Sequence, residues 1–273
     1  MNQHETSRRK FIRSGSALAG FFILPSGLRA NSPNGKICTA HIGTGGKGRV
    51  DTAYLAKHKH VEVLGLCDVD YKHGKIDTWS KQFKSATAFQ DYREMLAELG
   101  DKVDAVSIST PDHTHYPATL AAMELGKHVY TQKPLTHKLS EARHLAKFAK
   151  KKGLTTQMGI QNQSREAYRL TRHYLRKGIL GKISKVYVWS FKTWGYDGEP
   201  FKQKSEKPDS LDWNLWLGTA PVHDYVSKVY HPGQWRKLID FGCGTLGDMG
   251  IHIFDRPFGS LDLKPPTWAK ATC

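Results

Sequence analysis

The feature that most constrains the fold of this chain is a glycine-rich loop, GTGGKG, at residues 43–48. It follows the apolar run KICTAHIG, which is typical of a buried strand, and it precedes a helical pattern through Val50, Ala53, Tyr54 and Leu55. In a G-x-G-x-x-G loop, the three glycines allow a tight turn, a close approach to a pyrophosphate and close packing of helix on strand. The loop therefore predicts a dinucleotide-binding turn, and a purely structural turn is the alternative. The expected phosphate contacts are Gly43, Gly45, Gly46, Lys47 and Gly48.

A carboxylate follows at the spacing that such a turn requires. The second apolar run, VEVLGLCDVD, contains Asp68, which lies 20 residues beyond Gly48. An acid at this distance is expected to bind the ribose hydroxyls of the adenosine. Because a carboxylate repels a 2′-phosphate, Asp68 favours NAD over NADP, although the nearby Lys72 keeps NADP open.

Strand and helix patterns then alternate as far as about residue 151. Buried-strand runs DAVSIST and HVYTQ are separated by a helical stretch at 116–125, and another helix is expected at 140–151. Such alternation predicts an α/β fold with a doubly wound parallel sheet. Side chains at the carboxyl ends of the last two strands would face a bound cofactor. These candidates are Thr110, Pro111, His113, His115, Gln132 and Lys133, with turn or cap roles as the alternative for the two histidines.

The run YTQKP places a lysine at the point where a strand must stop. Pro134 has no N–H for a sheet ladder, so the strand ends there and Lys133 lies at its carboxyl end. Near the C-terminus, Asp248 and His252 are four residues apart and would share one face of a helix. A helix cap and a buried histidine are the alternative roles for this pair.

From about Gln157 the alternation stops, which places a first domain at 31–156 and a second at 157–273. A helical stretch is followed by the alternating run ISKVYVWSF at 183–191 and by an aromatic, loop-rich segment. His231, Trp235 and Arg236 precede the predicted Asp248–His252 helix and are the best candidates for substrate contacts. Trp213 and Trp216 are expected in a core.

These motifs together resemble the Gfo/Idh/MocA family of oxidoreductases. The resemblance rests on the glycine loop, STPDHTH, QKP and GTLGDMGIHIFD, and it covers the chain from about Lys36 onward. It implies a Rossmann domain followed by an α+β domain with a largely antiparallel sheet, incomplete here because family members normally continue well beyond residue 273. It also implies a cis peptide bond before Pro134. Family members usually carry glutamate where this chain has Gln132.

The resemblance also implies a catalytic group. Lys133 would polarise the substrate oxygen, His252 would act as general acid or base, and Asp248 would orient the histidine or hold a hydroxyl. The residue types suit this chemistry because a histidine titrates near neutral pH. NAD, or alternatively NADP, would accept the hydride, and the second domain would form an oligomer interface if it were complete.

The N-terminal residues predict an export signal. Arg8 and Arg9 precede a short, weakly apolar run at 14–24, and SRRKFI resembles a twin-arginine signal. An ordinary basic tail is the alternative. Residues 1–30 are therefore expected to direct the protein to the periplasm, without stable membrane insertion. The net charge of +16 is largely scattered and no reader motif is present, so nucleic acid is not an expected partner. The four cysteines suggest neither a disulfide framework nor a metal site.

Three functions fit these patterns. The first is an exported NAD(P)-dependent dehydrogenase acting on a sugar, polyol or glycoside. The second is a glycosidase of the same fold that uses NAD for transient oxidation and elimination. The third is a non-catalytic binding protein or inactive fragment.

Overall fold

A computed structural model describes residues 35–195, 198 and 203–272. Its one sheet within these ranges has six parallel strands in the order β3-β2-β1-β4-β5-β6. The strands are β1 (Ile37–Ile42), β2 (Val61–Cys67), β3 (Thr87–Phe89), β4 (Ala105–Ile108), β5 (His128–Gln132) and β6 (Thr156–Gly159). The order reverses between β1 and β4, so the carboxyl ends of these two strands open a crevice between them. The predicted parallel sheet is confirmed. The export signal predicted for residues 1–30 lies outside the described residues.

Nine α-helices lie within the described residues, and the first five accompany the sheet. They are α1 (Gly46–Leu55), α2 (Ile76–Gln82), α3 (Tyr92–Leu99), α4 (Asp112–Glu124), α5 (Leu139–Lys152), α6 (Glu166–Arg176), α7 (Trp213–Leu217), α8 (Gly244–Ile253) and α9 (Asp255–Leu261). Within this part of the chain no helix is long and apolar enough to cross a bilayer. The helix predicted at 116–125 begins earlier, at Asp112, because Pro117 is accommodated inside α4. His113 and His115 therefore lie in the first turn of a helix and not in a loop.

The main core packs the sheet against α3, α4 and α5. Its strand residues come from alternating runs whose apolar side chains are almost fully buried, for example Ile108 and Val106 on β4. Helix residues such as Met95 and Met123 belong to the same hydrophobic cluster. Burial of a side chain of this size contributes about 1.5–3 kcal/mol, so the core is the principal reason that the strand ends stay in place.

A second core is built by the aromatic segment at 204–243. Seven side chains fill it: Leu211, Trp216, Leu217, Tyr225, Tyr230, Trp235 and Phe241. Trp213 stacks on Trp216 with ring centroids 4.7 Å apart, as expected for core tryptophans. Val69, which follows β2, packs against the same cluster. The segment is thereby attached to the first domain although it belongs to the second half of the sequence.

Backbone hydrogen bonds continue this attachment. Tyr71 N donates to Ser210 O at 3.1 Å, and Asp212 N donates to Val69 O at 2.8 Å. A short antiparallel bridge pairs Asp70 with Leu211. We call this junction of residues 69–71 with 210–212 the seam.

Two sequence predictions need correction. Residues 183–191 alternate in hydropathy, but they form no strand, because no other segment within the described residues pairs with them. The side chains of Tyr187, Trp189 and Phe191 are consequently exposed. The domain boundary at 156/157 is also too early, since β6 ends at Gly159 and pairs with β5.

Candidate active site

The glycine loop lies where β1, β4 and α1 meet. Gly43 has φ +78°, and a Cβ there would approach Ser109 O to 2.7 Å. A Cβ on Gly48 would lie 1.7 Å from Gly43 O. Only glycine fits these positions, so the loop is held against the carboxyl end of β4. The first N–H groups of α1 have no intrahelical acceptor and are available for an anion.

Asp68 is buried beneath this loop and accepts three backbone hydrogen bonds. Its Oδ2 accepts from Thr44 N at 2.9 Å and from Gly45 N at 3.0 Å, while Oδ1 accepts from Asp70 N at 3.0 Å. A carboxylate offers about four lone-pair sites, so about one remains for a ribose hydroxyl. Burial raises the pKa of Asp68, and the three N–H donors oppose that rise. The carboxylate therefore fixes the loop, and the ribose contact predicted for it would use the lone pair that remains.

Asp70, which the sequence analysis did not select, anchors the far wall beside Asp68. Its Oδ2 accepts from His231 Nε2 at 3.1 Å, and its Oδ1 accepts from Ser210 Oγ at 2.8 Å. Despite burial, the hydrogen bond from His231 and the other donors hold the pKa of Asp70 well below its usual value. The ring of His231 also packs edge-on against His73 at 4.7 Å. His231 thus borders the β2 end of the crevice.

Between the loop and the aromatic segment lies a crevice that is open to solvent. One wall carries Asp68 with Gly43, Gly45, Gly46 and Lys47, whereas the predicted contact Gly48 packs behind Gly43 and does not line the crevice. The other wall carries Leu215, Trp216, His231, Pro232, Trp235 and Arg236. Thr110, Pro111, Gln132 and Lys133 line it at the carboxyl ends of β4 and β5. A glycine cradle, free helix N–H groups and a neighbouring acid fit the diphosphate and ribose of NAD.

Lys133 reaches from the end of β5 to helix α8. Its Nζ donates to Asp248 Oδ1 at 2.6 Å and to Asp248 O at 3.1 Å. Arg236 Nε donates to the same Oδ1 at 3.3 Å. Burial alone would raise the pKa of Asp248, but Lys133 and Arg236 bring it below its ordinary value. The peptide bond between Lys133 and Pro134 is cis, as the resemblance implied.

His252 lies one turn beyond Asp248 on α8. Burial lowers its pKa, and the charge of Lys133 lowers it further. Its Nδ1 is buried and has no hydrogen-bond partner among the described residues. The lowered pKa favours the neutral ring at pH 7, and Nδ1 contacts no group with which it could exchange a proton in this part of the chain.

A second carboxyl near this group, Asp112, was quoted in the sequence motif but given no role. It begins α4 and accepts a hydrogen bond from Cys243 N at 3.2 Å, just before α8. Burial raises the pKa of Asp112 to about 6, against the opposing charge of Lys133. The site thus contains two carboxyl groups whose pKa values move in opposite directions.

His113 and His115, predicted as cofactor contacts, do not line the crevice. His113 Nε2 donates to Trp216 O at 3.1 Å, and its ring packs on Phe241. His115 Nδ1 and Nε2 lie 2.7 Å from Pro134 O and 2.8 Å from Thr110 O. Burial lowers the pKa of His115 to about 4, so its neutral ring donates to only one of these carbonyls. Both rings brace the fold behind the site.

The three predicted substrate contacts border the crevice in different ways. Trp235 is nearly buried, and the Arg236 guanidinium lies 4.2 Å from the centre of its ring. This face of Trp235 is consequently not available to a sugar. Arg236 itself lies beside Asp248 and Lys133, which makes it the member closest to the expected chemistry.

Two family models match this chain. The first is described as "Oxidoreductase family, NAD-binding Rossmann fold" and covers residues 37–160, and the second as "Oxidoreductase family, C-terminal alpha/beta domain", covering 168–261. Together they cover most of the chain, and they place the NAD-binding domain on the sheet described above.

Individual relatives are more distant. D-glucoside 3-dehydrogenase of Escherichia coli K12 is 26% identical over 76% of this chain and 48% of its own length. The scyllo-inositol 2-dehydrogenase (NAD⁺) of Bacillus subtilis 168 is 30% identical over 47% of this chain and 38% of its own. The solved WlbA dehydrogenase of Bordetella pertussis, in complex with NADH and UDP-GlcNAcA, has a TM-score of 0.61 at 19% identity over 83% of this chain and 57% of that one. The chain spans about half the length of the curated relatives it matches.

Proposed function

Because the chain belongs to the Gfo/Idh/MocA family of oxidoreductases, we propose that it is an NAD-dependent dehydrogenase that oxidises a CH–OH group of a sugar, polyol or glycoside. One observation carries the proposal. The amine of Lys133 lines the crevice and bonds to Asp248, which shares helix α8 with His252. The dehydrogenases among the relatives, whose names specify a glucoside and an inositol, support the substrate class.

The glycine loop and Asp68 would hold the cofactor. The first-turn N–H groups of α1 would bind its diphosphate, and the remaining lone pair of Asp68 would accept from a ribose hydroxyl. When bound, NAD supplies the hydride acceptor.

The residues at the ends of β5 and α8 would manage the proton of the substrate hydroxyl. Lys133 donates a hydrogen bond to the substrate oxygen, which stabilises the negative charge that develops there. Nε2 of the neutral His252 accepts the hydroxyl proton. Asp248 holds the amine of Lys133 in place by accepting its hydrogen bond, and Arg236 donates to the same carboxylate.

The test combines a substrate screen with a lysine variant. Purified protein is incubated with NAD⁺ and a panel of sugars, polyols and glycosides, and the absorbance of reduced nicotinamide is followed while glycoside cleavage is measured in parallel. Lys133→Met is expected to lower turnover by about 10²–10³-fold while nucleotide affinity changes only a few-fold. The matched control is Lys147→Met, an exposed lysine on α5.

The outcomes separate the functions. Accumulation of reduced cofactor supports a dehydrogenase, whereas cleavage without accumulation supports the glycosidase. Unchanged turnover in Lys133→Met would rule out the assigned role of the lysine. Nucleotide binding with no turnover on any substrate would leave a binding protein.

A further inference from the structure

The proposed reaction makes no use of Asp51, a carboxylate buried on α1. The side chain is 6% exposed, and it meets donors from three elements. Its Oδ1 accepts from Lys47 Nζ, one turn earlier on the same helix. Its Oδ2 accepts from Ser109 Oγ at 2.9 Å and from Gln132 Nε2 at 2.7 Å. Since a buried carboxylate is costly unless it is hydrogen-bonded, the three donors offset the free-energy cost of burying Asp51.

Gln132 uses both ends of its amide. Nε2 donates to Asp51, and Oε1 accepts from the backbone N–H of Lys133 at 3.2 Å. The side chain is 3% exposed, and Gly159 on β6 makes room for it, since a Cβ there would lie 2.5 Å from Nε2. The amide therefore links the helix of the glycine loop directly to the backbone of Lys133.

The amide of Gln132 suits the carboxylate of Asp51, because it donates a hydrogen bond without adding a charge. A glutamate at 132 would bring two buried carboxyl groups into contact, which is unfavourable unless one of them takes up a proton. The negative charge of this network lies on α1, and β5 supplies the neutral donor. This arrangement accounts for the glutamine in QKP, where the resembling family usually carries glutamate.

We propose that Asp51 is a positioning residue for catalysis: through Gln132 it fixes the backbone of Lys133, and through Lys47 and Ser109 it ties that position to the nucleotide loop and to β4. The proposal rests on the proposed function, because it assumes that the Lys133 amine acts on substrate. Its physical basis is that a displacement of a reacting group by about 1 Å can reduce the rate about 10²-fold.

Exchanging the two side chains tests this link. Gln132→Glu keeps the acceptor for Lys133 N but places a second carboxylate against Asp51. The double variant Asp51→Asn/Gln132→Glu restores one negative charge and one amide donor, with the direction of the bond reversed. We expect Gln132→Glu to lower kcat about 10²-fold and the double variant to recover most of that loss. Gln157→Glu is the matched control, because Gln157 is exposed on the neighbouring strand.

Measuring kcat and nucleotide affinity separately in Gln132→Glu distinguishes a positioning role from a role in stabilising the fold. Positioning predicts that saturating NAD does not rescue Gln132→Glu. A loss confined to nucleotide affinity or thermal stability, with normal kcat at saturation, would overturn the proposal. So would a double variant as slow as the single one.

A second readout works without turnover. Trace acetylation of Lys133, quantified by mass spectrometry, reports the environment of its amine in every variant. We expect the wild-type chain and the double variant to be labelled alike, because their charges match, and Gln132→Glu to differ several-fold. If no substrate is turned over, the proposed function fails, but equal labelling of all three proteins is the result that would overturn the positioning role.

Discussion

Replacing Asp112 with asparagine is expected to stabilise the protein at neutral pH. Burial raises the pKa of this carboxyl from 3.8 to about 6, a shift of about two units at about 1.4 kcal/mol per unit. The folded state therefore prefers the neutral acid, and the charged form costs about 3 kcal/mol once the pH exceeds the folded pKa. Asparagine keeps an acceptor for Cys243 N and carries no charge.

The sign of the pH dependence is specific. In the wild-type chain, the stability contributed by Asp112 is complete below about pH 4 and is lost as the pH rises through about 6. The free energy of unfolding of Asp112→Asn should thus equal that of the wild type near pH 4 and exceed it by up to about 3 kcal/mol at pH 7.

Equilibrium urea unfolding of both proteins across this range measures the difference directly. Asp248→Asn serves as the control of opposite sign. Lys133 and Arg236 lower the pKa of Asp248 despite its burial, so its charge stabilises the fold above the unfolded pKa, and that contribution is lost as the pH falls. Removing this charge should lower the free energy of unfolding at pH 7, and the reduction should be smaller at low pH. A difference between Asp112→Asn and wild type that stays constant with pH, or falls as pH rises, would refute the reasoning.

Two further predictions concern the loop and the histidine. Gly43→Ala should abolish tight NAD binding, measured by nucleotide titration, and should lower stability more than Gly126→Ala does, measured by thermal unfolding. Both glycines have positive φ, but a Cβ on Gly43 would lie 2.7 Å from Ser109 O, whereas one on Gly126 meets nothing within 4 Å. Equal costs would show that backbone strain alone matters. His252→Gln should lower kcat/KM by about 10²–10⁴-fold. It should also remove the decline in rate that the wild type shows as the pH falls through the lowered pKa of the His252 ring. An unaltered pH profile would exclude His252 as the base.

Local patterns predicted those parts of the site that depend on neighbours in the sequence. The glycine loop sits between β1 and α1 because strand, turn and helix signals are contiguous there. Asp248 and His252 share α8 because their spacing matches one helical turn. Lys133 lies at the end of β5 because Pro134 cannot continue the ladder.

Contacts between distant positions could not be predicted in the same way. Asp51 meets Gln132 across 81 residues, and Asp70 meets His231 across 161. Asp51 lies three residues after the last glycine, and only the sheet order reveals its partner on β5. Alternation at 183–191 likewise indicates that a segment can form a strand, whereas pairing depends on a neighbour. His113 and His115 were misplaced because the early start of α4 turns them inward.

The seam between residues 69–71 and 210–212 bears on the width of the crevice. It joins one wall to the other by main-chain bonds, reinforced by Asp70 with Ser210 and His231. Near β2 the spacing between the two walls is therefore fixed by the backbone and not by side chains alone. A substitution in the seam would change the width of the crevice without touching a molecule bound in it.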